Sequence, residues 1–151
     1  MNIEQVKAQA AELLGRFLEP MQPAALAALT EVLRPSPEDY ARVFAPEAVE
    51  TARAGFDLLW LQSPRPKGKP GQTEVRVFAA PASLLTDDNE LSRNFPGGYQ
   101  RIADKLDPHR VWLAWKYLAP GSSTGMAYDG LVWLDDRFAW FPKPWRVLGD
   151  G

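Results

Sequence analysis

The chain has no cysteine and a single histidine among its 151 residues. Without thiols there is no disulfide framework, no thiolate metal site and no cysteine nucleophile. The lone histidine, His109, follows Pro108 at the entrance of an expected strand. No spacing of a metal motif surrounds it, so it reads as a surface residue, and neither a metal nor a cofactor is implied. Long apolar runs are also missing, and none approaches the roughly 18 residues of a membrane span. The opening MNIEQVKAQAAELLGRFLEP is broken by Glu4, Lys7, Gln9, Glu12 and Arg16, unlike the apolar core of a secretory leader. The expectation is a cytoplasmic protein that neither crosses nor binds a membrane. Excess charge of one sign is lacking too: 17 Lys and Arg stand against 19 Asp and Glu, a net charge of -2. That balance argues against a nucleic-acid partner held by bulk electrostatics.

What is present is a helical first part and a strand-rich second part. Ile3, Val6, Ala10, Leu13, Leu14 and Phe17 recur at helical spacing, and a second helix after Pro23 would bury Leu26, Leu29, Val32 and Leu33. Ser36-Pro37-Glu38-Asp39 combines a cap, a first-turn proline and first-turn acids, predicting a short helix to Phe44. Pro46-Glu47 opens another, with Val49, Ala52, Phe56, Leu59 and Trp60 on one side. Residues 63–72, SPRPKGKPGQ, hold too much proline, glycine and positive charge to bury apolar area and predict a flexible basic loop. Beyond it, residues 74–79 alternate as a half-buried strand, and Tyr99, Ile102, Ala103 and Leu106 mark a short helix. Three strands follow, over 111–118, 128–134 and 137–141. The expected fold is therefore one α+β domain over 1–151. Its helical part, 1–62, packs on a twisted antiparallel sheet of about four strands in 73–151, with short helices inserted before the last three strands.

Strand register follows from the turns. With Asp135-Asp136 as a two-residue turn, Trp133 faces Phe138, Val132 faces Ala139 and Leu131 faces Trp140. With residues 119–126 as the preceding loop, Tyr117 faces Tyr128, Lys116 faces Asp129 and Trp112 faces Trp133. Both sheet faces are then apolar, so something must cover each: the chain itself, a second copy in a homodimer, or a ligand. Five of the six tryptophans fall between residues 112 and 145.

Two functional readings arise. In the first, an aromatic sheet face carrying Trp115, Tyr117, Tyr128 and Phe141, rimmed by Trp145 and Arg146, contacts a protein partner or a small apolar ligand without catalysis. In the second, Lys116 and Asp129 form an acid–base pair in a helix–sheet pocket, assisted by Tyr128 or His109. The same two charges also serve as an ordinary cross-strand ion pair. Asp87, Asp88 and Glu90 lack the alternation and glycine of a calcium loop and read as capping residues. The run Pro120-Gly121-Ser122-Ser123-Thr124-Gly125 lacks the lysine of a phosphate loop, and neither serine sits in a nucleophile elbow. The cations Arg65, Lys67 and Lys69 suit phosphate only weakly, as a solvated tract does.

GMAYDGLVWLDDRFAWFPKPWR, from Gly125 to Arg146, with FPGGYQRIA from Phe95, resembles segments of small uncharacterised bacterial proteins. That resemblance implies no activity and no site residues. The order of helices before a curved antiparallel sheet resembles the nuclear-transport-factor-2-like cone, which implies a pocket between helices and sheet, although that cone has more strands than the four expected here.

Overall fold

The computed structural model describes residues 1–149. In chain order it contains α1 (Ile3–Gly15), α2 (Pro23–Glu31), α3 (Asp39–Val43), α4 (Val49–Trp60), β1 (Glu74–Pro81), α5 (Gly98–Ile102), β2 (Val111–Leu118), β3 (Gly125–Trp133), β4 (Phe138–Trp140) and α6 (Pro144–Leu148). The strands form one antiparallel sheet in the order β1-β2-β3-β4, so the α+β expectation stands. At the start of α1, Asn2 and Gln5 satisfy each other's backbone amides in a capping box. The helix buries Val6, Ala10 and Leu14. Val32, expected on a buried face, is instead 62% exposed. The cause is local: α2 stops at Glu31, and the Leu33 N–H bonds the Thr30 carbonyl, a tighter turn that swings Leu33 inward and Val32 out. At α3 the expected cap is inverted, because the Asp39 carboxylate accepts the Ser36 N–H at 2.7 Å.

The hairpin between β3 and β4 has the expected register, with Leu131, Val132 and Trp133 opposite Trp140, Ala139 and Phe138. The pairing of β2 with β3 does not. Lys116 faces Ala127, Asp129 faces Ala114, Tyr117 faces Met126 and Trp112 faces Val132. Two things moved the register. β3 begins at Gly125, which shortens the preceding loop, and Gly130 is an extra residue between the partners of Leu113 and Ala114. Gly130 has φ +91, a conformation costly for any residue with a side chain, and it makes the bulge. Everything beyond a bulge swaps faces. Leu131, Trp133 and Trp140 therefore join Trp115, Tyr117 and Tyr128 on one side, while Asp129 shares the other with Trp112, Ala114 and Lys116.

The chain itself covers both apolar faces. On the first, the Tyr117 hydroxyl donates to the Leu14 carbonyl at 2.8 Å and Trp60 stands edge-on to Trp140 at 5.9 Å, which places α1 and the end of α4 there. On the second, Phe44 just after α3 and Tyr99 of α5 pack on Trp112 at 6.2 and 5.6 Å, and Phe56 of α4 meets Phe141 at 5.4 Å. Each such ring pair contributes about 0.5–1.5 kcal/mol beyond burial of its area. Trp115, Tyr117 and Phe141 are 1%, 0% and 0% exposed. They are interior residues, with Trp115 alone reaching the wall of a small hollow, which corrects their assignment to an open aromatic face.

The basic loop is held against this sheet. The Tyr128 hydroxyl donates to the Lys67 carbonyl at 2.9 Å and accepts the Lys67 N–H at 3.0 Å, and Pro66 is buried. No helix among the described residues is long and apolar enough to cross a membrane.

Candidate functional site

β4 pairs only with Leu131–Trp133, and the last rung is the Phe141 N–H to the Gly130 carbonyl at 2.7 Å. Pro142 then removes the next amide, and Lys143 takes a left-handed turn at φ 51 into α6. The chain thus leaves the sheet early. Along residues 125–128, the side of β3 away from β2 has no backbone hydrogen bond to any other segment among the described residues.

Where the chain turns away, a cleft of about 420 Å³ opens. The end of α4 and Pro64-Arg65 form one wall, Met126–Asp129 another, and Pro142, Lys143 and Arg146 close the third. Trp140 and Tyr128 supply apolar surface. A hollow of about 200 Å³ lies across β3 on the other sheet face, bounded by Phe78, Lys116, Ala127 and Trp145. Tyr128, Asp129 and Lys143 border both.

Asp129 sits between the two and is 5% exposed. Its Oδ1 accepts the Tyr99 hydroxyl at 2.8 Å and the Lys143 N–H at 2.9 Å, while its backbone carbonyl accepts the Trp140 indole N–H at 2.8 Å. Burial pushes this carboxyl above its ordinary pKa, a rise that the Lys143 amide, the Tyr99 hydroxyl and the nearby Lys143 and Arg146 charges reduce without cancelling. Burial, then the Asp129 charge, pushes the Tyr99 phenol well above its ordinary value, so Tyr99 keeps the proton it donates.

Among the described residues Asp129 is the one carboxylate bordering either hollow, against the cations Arg65 and Arg146 at the large one, Lys116 at the small one and Lys143 at both. Among the described residues no carboxylate lies within ion-pair distance, 4.0 Å, of any of these four cations. The cations of a second groove, Arg34 and Arg53, are already matched by Glu31 at 3.5 Å and Glu50 at 2.6 Å. No Ser, Thr or His lines the large cleft.

Of the residues singled out from sequence, Lys116 and Asp129 border the same small hollow without being cross-strand partners. Tyr128 lies on the opposite sheet face, its hydroxyl committed to Lys67. His109 is exposed and borders neither hollow; its N–H bonds the Asp107 carboxylate at 2.9 Å. Trp145 is half-buried against Tyr99 at 5.4 Å, and Arg146 is exposed on the rim of the large cleft. Sequence reasoning missed Tyr99 and Lys143. A glycine inside a strand pattern, here Gly130 beside Asp129, is a bulge signal that pointed to the spot. Among the described residues no three His, Asp or Glu side chains gather where they could hold a metal ion. Compared with known protein families, curated proteins and solved structures, the chain matches none.

Proposed function

We propose that the chain is a binding module that recognises carboxylate groups of a partner at the cleft beside β3. The observation that carries this reading is the convergence of Arg65, Lys143 and Arg146, none with an ion-pair partner among the described residues, on a cleft with aromatic surface. Cations left unmatched in a concave site attract anions and steer their approach. The one acid there among the described residues accepts its hydrogen bonds from Tyr99 and the Lys143 backbone and meets the Lys143 and Arg146 charges only through space, with no ion pair formed. Binding is preferred to acid–base chemistry because Lys116 and Asp129, although they border one hollow, are not cross-strand partners, and the Asp129 Oδ1 already accepts from Tyr99 and the Lys143 amide.

Titration with glutarate, followed by amide chemical shifts, tests this. Shifts should concentrate at 126–129 and 143–146 and weaken several-fold between 50 and 500 mM salt, by screening. Arg146→Glu should reduce the affinity about tenfold, whereas Lys7→Glu on α1 should leave it unchanged. Shifts scattered over the surface, or equal binding by both variants, would remove the reading.

A further inference from the structure

Resting on that reading of the cleft, we infer that its occupant is an extended acidic segment of a partner protein, which adds to the outer edge of β3 as a fifth strand. Among the described residues, the backbone of this edge has groups free to pair. Leu118 turns its carbonyl to the β1 side, accepting from Thr73 at 3.0 Å, so by ladder alternation residues 115 and 117 face β3. Their partners Tyr128 and Met126 are thus spent on β2, and the N–H and C=O of Ala127 point outward. Ala127 is exposed, and nothing among the described residues bonds these groups.

Sheet edges are normally blunted by proline or by charged side chains within the strand. Residues 125–128 are Gly, Met, Ala and Tyr, with neither device. The edge is short, about 13 Å at 3.3 Å per residue, which suits a segment of four or five residues.

Charge selects the occupant. A second copy pairing edge to edge would bring Arg65, Lys143 and Arg146 of both copies together, so self-association is disfavoured. An acidic strand meets the opposite situation. Because side chains alternate across a strand, consecutive residues of the added segment would point in turn to the large cleft, with Arg65 and Arg146, and to the small hollow, with Lys116. Lys143 borders both, so acidic residues are accommodated on either side.

The test uses the whole chain and the peptide acetyl-Glu-Asp-Val-Glu-Asp-Val-amide, alongside the same peptide N-methylated at alternate residues. The unmodified peptide should slow hydrogen exchange of the Ala127 amide at least tenfold, and N-methylation should weaken binding at least tenfold while glutarate binding stays the same. Equal binding of the two peptides overturns strand addition and leaves the carboxylate cleft standing. Failure of glutarate and both peptides alike overturns the cleft itself. Protection of Ala127 that rises with protein concentration alone would assign the edge to a second copy and also overturn the proposal.

Discussion

Asp129 sets two physical demands against each other at the scale of one residue. Its carboxyl is nearly out of water, which penalises the charged form, yet it holds Tyr99, the Lys143 amide and, through its carbonyl, Trp140 in place. Because its pKa is raised in the folded chain, the folded state favours the protonated form. That favourable contribution is complete below the unfolded carboxyl value and is lost as pH rises through the higher folded one. An asparagine keeps an oxygen for Tyr99 and Lys143 and cannot ionise. Asp129→Asn should therefore gain stability relative to the parent as pH climbs from 3.5 to 7, read as a melting-temperature difference that grows with pH. A difference that shrinks over that range would show that the ionised carboxylate is the favoured native form.

Close approach between elements decides where the cleft's cations stand. Lys143 and Arg146 are carried by the turn into α6, and α6 is seated by glycine: a Cβ on Gly98 of α5 would collide with the Trp145 ring, and one on Gly55 of α4 with Val147. In an exposed helix, Gly→Ala is a gain of about 1 kcal/mol. Here the contact reverses the sign. Gly98→Ala should lower stability by about 1–3 kcal/mol, as overpacking does, and should weaken glutarate binding by shifting Arg146, measured by thermal unfolding and the same titration. A rise in melting temperature with unchanged binding would unseat this account. Legibility in the sequence also divides at the level of elements. The 3.6-residue periodicity of α1 and α4 and the Asp135-Asp136 turn are local signals, and the helices and the β3–β4 register were readable from them. The β2–β3 register depends on where β3 begins, at Gly125, and on Gly130, a single residue with left-handed φ whose carbonyl accepts the Phe141 N–H. Periodicity carries no trace of either cause, and a loop taken two residues too long put Lys116 opposite Asp129 where the structure has Ala127. Lys143 was invisible for a similar reason, since its place comes from where Pro142 and Pro144 send the chain.

Across the whole molecule, the helical and sheet parts are cross-linked by charge at the end of the β3–β4 hairpin. Asp39 of α3 is 1% exposed and accepts the Arg137 guanidinium at 2.6 Å, Arg42 donates to the Leu134 carbonyl, and Arg110 bridges the Arg42 carbonyl at 2.9 Å to Asp135 at 2.8 Å. Burial pushes the Asp39 carboxyl up, but the Arg137 hydrogen bond and charge together with the Ser36 amide outweigh it and hold the pKa below its ordinary value. The linkage is opposite in sign to that of Asp129. Stability from Asp39 is present above the ordinary carboxyl value of 3.8 and is lost as pH falls through the lower folded value. Arg137 is partly in water, so its screened attraction is worth less than a fully buried pair. Asp39→Asn should cost about 1–3 kcal/mol at pH 7, the range for a buried charged hydrogen bond. The gap should begin to narrow below pH 3.8, where the unfolded parent takes up its proton, and close as pH falls through the lower folded value. Urea unfolding at pH 7, 5 and 3 measures it. A gap that stays constant across those three would mean that packing of α3 on the hairpin, rather than the ion pair, joins the two parts of the chain.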